Sequence, residues 1–496
     1  MTVGGLDVGT TGSKITVFSL TGEELGCYYR EYPDRTNPGE ADAKIILSTV
    51  EEILKEAAKN HPDLAAFGVT SFGEAFVLTD KEGEPLAPIW LCSDARGAAE
   101  CEELTEKIGK ERWMQIAGAE PNTMYSLAKI LWAKNNLQNF PQTEHIYLME
   151  DYIVHHLTGI AQIDYSLAAR TMAFDVRNLC FSEEILSAAE VSVSLFSKPV
   201  PTGTAAGPLR DEIGNLLGFQ SNPTVVSGAH DQVAAALGSG ITDGSVAVDG
   251  TGTVECVTVC MPEPPDAPAY YACGFCAVPY IVPGTYVNYA FTLTGGACAK
   301  WVRDKITPDL IRDNPGKNVY RILDESMPKE PTNLLILPHF SGSATPYMDA
   351  GSRAAVLGLD LTTDRFTLYR GVLEGVTMEM KQNLERLKEF GAVPRRIIAA
   401  GGGAKSPPWL QMKADIFDCP IETLRGSEAG AAGTAMMAAV ACGLLPDLRE
   451  AVNRFVHRNE VYVQGKNSEA YQRIFKRYRR VYDAVRPLME GENDEN

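Results

Sequence analysis

Short apolar, β-branched runs bounded by glycine-rich turns alternate along this chain with longer segments whose apolar residues recur every three or four positions, a mixture of strands and amphipathic helices. Val3-Gly4-Gly5-Leu6 and Ile15-Thr16-Val17-Phe18 flank a compact Gly/Thr segment and predict two strands joined by a tight turn. Asp42 is placed to cap a helix carrying Ile46, Val50, Ile53, Leu54 and Ala57 at helical spacing. Ala65 to Ser71 reads as a buried strand delivering the loop Phe72-Gly73-Glu74-Ala75 to its carboxyl end, with strand-like Phe76-Val77-Leu78 beyond it. Met124 to Trp132 begins a packing helix with Leu127, Ile130 and Leu131 on its apolar side. Val225 to Ala229 predicts a strand that runs into His230-Asp231-Gln232 at the start of an Ala-rich helix.

The apolar run, the Asp and the Gly/Thr turn of the N-terminus return half a chain later as Ser245 to Val254, with Asp249-Gly250-Thr251-Gly252-Thr253 at the turn. Such self-similarity predicts two similar domains, each with one hairpin, gripping one polyphosphate from opposite sides of a cleft. The glycine-rich stretch 238–244 is the expected linker. Beyond it, Leu334 to Leu337 reads as a buried strand, and Arg396 to Ala400 as a strand that meets Gly401-Gly402-Gly403-Ala404 before a helix near Pro407 and Trp409. That triple glycine lets a ligand approach the backbone closely. Tyr471, Ile474, Phe475, Tyr478, Val481, Tyr482 and Val485 share one face of a last helix, and Glu490 to Asn496 is an acidic tail expected to be disordered.

At 496 residues the chain is too long for one core. Its 45 basic and 64 acidic residues leave a charge of −19, which argues against a nucleic-acid or anionic-membrane surface. The N-terminus enters a strand without the pattern of a signal peptide. Uncharged Ala429 to Leu445 is built of Ala, Gly and Met, which predicts a buried helix rather than a membrane span. Eleven cysteines without disulfide-like spacing fit a reducing cytoplasm, and Cys273-Gly274-Phe275-Cys276 has no second pair beside it.

Chemistry gathers at the turns. Gly9 and Gly12 permit close backbone approach, and Thr10, Thr11 and Ser13 offer donors to phosphate oxygens. Asp7 beside such a cradle repels the ligand unless a cation intervenes, and Mg²⁺, which keeps several waters, is the natural one. The pattern is neither a Walker A loop nor a dinucleotide fingerprint. Asp94 and Arg96 are spaced either to read hydroxyls or to form a local ion pair. Asp231 is either a helix cap or a base that takes a proton from a hydroxyl, oriented by His230 or Gln232.

Taken in order, these segments resemble the FGGY carbohydrate kinases over nearly the whole chain. Leu6-Asp7-Val8-Gly9-Thr10-Thr11 and Asp249-Gly250-Thr251-Gly252-Thr253 are similar to the family's two phosphate motifs; Met124 to Trp132 and Arg370 to Val376 to its signature helices; His230-Asp231-Gln232 to its catalytic motif; and Gly401 to Ala404, with Gln411 and Asp415, to its adenosine segment. The resemblance implies an α/β protein of two ribonuclease H-like, actin-type domains with a catalytic cleft between them: 1–243 for sugar, base and first phosphate loop, 244–496 for the second loop and adenine nucleotide. It implies ATP and Mg²⁺, with Asp231 as general base and Asp7 and Asp231 holding the metal through water. Thr10, Thr11, Ser13, Lys14, Gly250, Thr251, Gly252, Gly296, Lys300, Gly402, Gly403 and Ala404 would hold the nucleotide, and Glu74, Asp94, Arg96, Asp231 and Gln232 the sugar. Phe72-Gly73-Glu74 departs from the Gln-Met-His of xylulokinase-like members and the Arg-Glu of glycerol kinases, and Met124 stands in place of the latter's tyrosine. Gly73 is therefore expected to open space for an acceptor larger than glycerol, and the resemblance implies a ketose, a pentulose or deoxyhexulose, or a related polyol. The alternatives are an actin- or chaperone-type ATPase and a sugar-binding regulator without kinase activity. A homodimer is the default assembly.

Overall fold

The computed structural model describes residues 1–33, 35, 37, 39–426 and 428–489. Two mixed sheets organise them. The first contains β1 (Thr2–Val8), β2 (Gly12–Ser19), β3 (Glu24–Glu31), β4 (Leu64–Ser71), β5 (Thr204–Pro208) and β6 (Thr224–His230) in the order β5-β6-β4-β1-β2-β3. The second contains β7 (Val246–Thr251), β8 (Glu255–Met261), β9 (Val278–Pro279), β10 (Tyr286–Thr292), β11 (Arg396–Gly401), β12 (Ile421–Leu424) and β13 (Arg458–Tyr462) in the order β9-β10-β8-β7-β11-β12-β13. In each, an antiparallel trio is extended by two parallel strands: β3-β2-β1-β4-β6 in one, β10-β8-β7-β11-β12 in the other. The repeat read from sequence is thus a repeat of topology, and both Asp/Gly/Thr segments lie at the turn of a first hairpin.

The helices that matter for the cleft are α1 (Ala43–Asn60), α2 (Ser126–Asn136), α3 (Tyr165–Ala169), α4 (Asp231–Gly238), α5 (Gly296–Trp301), α6 (Arg365–Glu389), α7 (Pro407–Phe417) and α8 (Ala429–Ala441). Asp42 caps α1 as expected, accepting from Lys44 N at 2.8 Å. The uncharged stretch at 429 is indeed a buried helix, and it packs on β1, β4 and α4, far back in the chain. Contact there is backbone to backbone. A Cβ on Gly5 would sit 2.0 Å from the carbonyl oxygen of Ala431, one on Gly433 1.9 Å from that of Ala234, and one on Gly238 1.7 Å from that of Ala429. Only glycine leaves room for so close an approach.

Some elements differ from the reading of the sequence. The last apolar face is carried by two helices, Ser468–Tyr478 and Val481–Val485, although Tyr471, Ile474, Phe475, Tyr478, Val481 and Val485 are all buried. Leu335–Leu337 pairs with Ala355–Leu357, and Phe76–Thr79 with His145–Leu148, both outside the main sheets. The tail 490–496 lies outside the described residues. Among the described residues no helix is long and apolar enough to cross a membrane.

The seam gives a direct test. Gly433→Ala is expected to lower stability by about 1–3 kcal/mol through overpacking, whereas Ala441→Ser on the exposed end of α8 should stay within about 0.5 kcal/mol. Urea unfolding of both variants checks this, and equal midpoints would show that the seam yields.

Candidate active site

Asp7 lies opposite Lys14 across the first hairpin. Lys14 Nζ is 3.5 Å from Asp7 Oδ2 and 2.5 Å from Glu428 Oε2, so this side chain ties the hairpin to the residue just before α8. Burial holds Asp7 above the usual carboxylate range; Lys14 opposes that, and the negative charge of Asp231 adds to it. Gly9 N donates to Gly12 O at 3.0 Å to close the turn, and Thr10 and Thr11 stand exposed at its tip. Ser13 departs from expectation. It is fully buried with its hydroxyl 2.6 Å from Tyr32 OH. Neighbouring strand residues point to opposite faces, so with Lys14 toward the cleft Ser13 points away from it.

Asp231 opens α4 directly after β6. The preceding turn is pinned from α3: Asp164 accepts from Ser166 N at 2.8 Å, and Ser166 Oγ accepts from His230 N at 2.9 Å. His230 Nε2 sits 3.2 Å from Asp231 Oδ1. Burial, with the nearby Arg170 cation, pushes His230 down to about 3, so the imidazole is neutral at physiological pH. Burial pushes Asp231 up to about 6, with the Gln232 amides pulling back. Its Oδ1 is buried without a hydrogen-bond partner among the described residues, while 40% of the side chain is exposed, which presents the rest of the carboxylate to the cleft. Gln232 is itself exposed.

On the acceptor side, Glu74 has a φ of 66° beneath a hydrogen bond of 2.8 Å from Ala75 N to Gly73 O, a tight turn that strains a non-glycine residue. Its carboxylate accepts from Arg170 Nε at 2.6 Å, and the guanidinium stacks 4.9 Å from the centre of the Tyr125 ring. Glu74 and Arg170 are each only 6% exposed. A Cβ on Gly73 would be 2.9 Å from His230 Cδ2 and 3.2 Å from Arg170 Cγ. The space that Gly73 was expected to open for the acceptor is therefore filled by these two side chains. Asp94 and Arg96 make the ion pair foreseen as an alternative, at 2.8 Å. Arg96 also reaches Glu40 at 3.1 Å and lies between the Trp90 and Trp132 rings, 4.9 and 4.8 Å from their centres. Lys129, fully buried on α2, donates to the Thr123 and Met124 carbonyls at 2.8 Å each; burial pushes it down to about 8, against the fields of Glu74 and Asp94. The carboxylates of Glu74 and Asp94 thus act on one buried lysine between them.

A cavity of about 780 Å³ opens where the second hairpin meets the triple glycine. Thr251, Gly252, Gly296, Lys300, Gly402 and Gly403 line it as expected. Gly250 stays within β7, and Ala404 lies beside the lining rather than in it. The triple glycine serves a second purpose: a Cβ on Gly401 would meet Thr251 O at 2.6 Å and one on Gly403 would meet Thr251 Cβ at 2.6 Å, so these two pack on the second hairpin. Lys300 is paired with Asp304 at 3.0 Å.

Arg170, Lys129, Tyr289 and the cavity residues Tyr320, Asp324, Tyr369 and Trp409 were given no site role from sequence. Arg170 left one trace, a lone charge after the run Leu167-Ala168-Ala169. Tyr289 comes from β10 and sets its ring 6.0 Å from that of His230, so the second sheet also borders the acceptor pocket. The eleven cysteines, Cys273 and Cys276 included, are free thiols.

Two repeated α/β lobes, each with an Asp/Gly/Thr hairpin, and a half-exposed carboxylate at the head of α4 define a two-domain protein of the actin-like ATPase fold. The chain belongs to the FGGY family of carbohydrate kinases: the family's N-terminal domain model matches residues 2–238 and its C-terminal domain model residues 250–442. It is 28% identical over 491 residues to the xylulose kinase of Staphylococcus xylosus, covering 97% of this chain and 99% of that one. It is 25% identical over 499 residues to the autoinducer-2 kinase of Escherichia coli O139:H28, covering 96% and 93%. The gluconate kinase of Lactobacillus acidophilus matches in fold with a TM-score of 0.90 at 23% identity, covering 100% of this chain and 99% of that one. The chain is accordingly an ATP-dependent sugar kinase, and the ATPase and regulator alternatives give way.

Arg170→Met leaves Glu74 buried without its counter-charge, an expected loss of about 3–5 kcal/mol. Arg170→Met combined with Glu74→Gln should recover most of it. Thermal unfolding midpoints of the two variants decide, and equal losses would show that the pair is not what Arg170 contributes.

Proposed function

We propose that this kinase transfers the γ-phosphate of ATP to a hydroxyl of a ketose, a pentulose or deoxyhexulose, with Asp231 as the base. The observation that carries the reading is the Asp231 carboxylate: one oxygen turned toward neutral His230, the other side open to a cleft bordered by Glu74, Arg170 and Asp7. The sugar hydroxyl gives its proton to Asp231, its oxygen bonds the γ-phosphorus, and the bond to the β-phosphate oxygen breaks to leave ADP. Phosphoryl transfer of this kind depends on alignment and charge neutralisation, with modest help from the base. The buried Glu74–Arg170 pair presents a rigid polar wall, and a sugar that leaves such groups unpaired is disfavoured. Names of relatives such as xylulose kinase support the ketose class.

Asp7 and Asp231 fit Mg²⁺ held through water. The charge of Asp231 acts on Asp7, burial raises both, and the buried Oδ1 of Asp231 has no hydrogen-bond partner among the described residues. The ion would supply neutralisation of the polyphosphate. Thr10, Thr11 and Lys14 on one side and Thr251, Gly252, Gly296, Gly402 and Gly403 on the other would hold the nucleotide, with residues 1–243 serving mainly the acceptor and 244–496 mainly ATP. The free cysteines favour a cytoplasmic setting.

A coupled assay against xylulose, ribulose, fuculose, rhamnulose, gluconate and glycerol tests the class. One ketose should stimulate turnover, and Asp231→Asn should lower kcat by about 10²–10⁴ while ADP still binds. ATP turnover indifferent to every sugar and to the variant would sink the reading. Asp231 acts as base only when deprotonated, so with its pKa raised to about 6, kcat/KM for the sugar should be level above that pH and fall below it. A profile with no acid limb down to the free-carboxylate range would remove Asp231 from the role.

A further inference from the structure

A buried ionic cluster lies under the second hairpin, and the chemistry of transfer does not by itself require it. Lys413 of α7 reaches beneath the nucleotide cavity with 1% of its side chain exposed. Its Nζ is 2.5 Å from Asp249 Oδ2, 2.6 Å from Thr251 Oγ1 and 3.2 Å from Glu255 Oε1. An ammonium carries three protons and no acceptor. All three are used here, so Thr251 Oγ1 accepts, and its own proton is left to donate elsewhere. The remaining oxygens of the cluster, Asp249 Oδ1 and Glu255 Oε2, are left to the hydrogen bond between the Glu255 carboxyl and Asp249, and Thr251 forms part of the cavity wall. The cluster is also balanced in charge. Burial and Asp249 push Glu255 up toward its neutral form, while the Asp249 carboxylate holds Lys413 protonated against desolvation. Without Lys413, a buried anionic Asp249 would stand directly below the loop that receives a polyphosphate.

The two hairpins thus use the same aspartate differently. Asp7 keeps 23% of its side chain exposed and shares Lys14 with Glu428. Asp249 is wholly enclosed and neutralised from α7.

We propose that Lys413 is a positioning residue for the nucleotide: by occupying the acceptor side of Thr251 it commits that hydroxyl as a donor to a phosphate oxygen, and by neutralising Asp249 it lets the second hairpin accept an anion. This rests on the cavity being the nucleotide site. The test is a double-mutant cycle of Lys413→Met and Thr251→Val, read as KM for MgATP, kcat at saturation and calorimetric binding of ADP. Lys413→Met should raise KM and the ADP dissociation constant about tenfold, with kcat nearly retained. In the Thr251→Val background the same change should cost no more than about twofold, because the coupled partner is gone. Lys413→Met with Asp249→Asn removes the stranded charge, guards against misfolding and should still bind ADP weakly. Equal costs in both backgrounds, or a loss confined to kcat, would overturn the assignment while leaving the cavity as the nucleotide site. Failure of the unmodified enzyme to bind ADP at all would overturn both.

Discussion

Everything at the cleft depends on how closely one helix approaches the opposite sheet. α8 belongs to the later part of the chain yet lies against β1, β4 and α4, with glycines at 5, 238 and 433 admitting carbonyl oxygens where any Cβ would collide. The contact fixes Glu428 at the start of α8 beside Lys14 on the first hairpin. It also fixes α4, whose first residue is the proposed base, Asp231. A single constraint on backbone approach therefore sets the relation between Asp7, Asp231 and Lys14. The driving force is ordinary burial, but the specificity comes from the absence of side chains.

Electrostatics then separates residues that look alike in sequence. Asp7 and Asp249 head equivalent hairpins, one facing the cleft and the other enclosed over a lysine. Glu74 is held by a direct ion pair with Arg170, whereas Asp231 feels Arg170 only at a distance and sits beside a neutral imidazole and helix amides. Burial raises the proton affinity of Asp231, as suits the base proposed for it.

What was legible in the sequence was local. The Gly/Thr turns, the Asp42 cap, the start of α4 at Asp231 and the Ala/Gly helix at 429 are each set by neighbours in the chain, and the repeat made two lobes visible. Ser13 was misplaced because a loop motif says nothing of strand alternation one residue further on. Gly73 was read as vacancy because the side chains that fill it, His230 and Arg170, come from about a hundred residues or more along the chain. Lys413 and Tyr289 were missed for the same reason: their meaning comes from tertiary neighbours, and although Lys413 lies between Gln411 and Asp415 of the adenosine-like segment, that resemblance gives the lysine itself no role.

The seam's composition bears on how such a protein can diversify. An interface made of main chain and the smallest residues has almost no side-chain vocabulary to change, whereas the acceptor pocket is written in loops at 72–74 and 94–96 and in the residues around 170. Changes far apart with no shared partners act nearly independently. Selection can therefore revise which acceptor is taken while the articulation between the lobes is inherited intact, and a lineage of such chains would be expected to drift in taste far sooner than in mechanics.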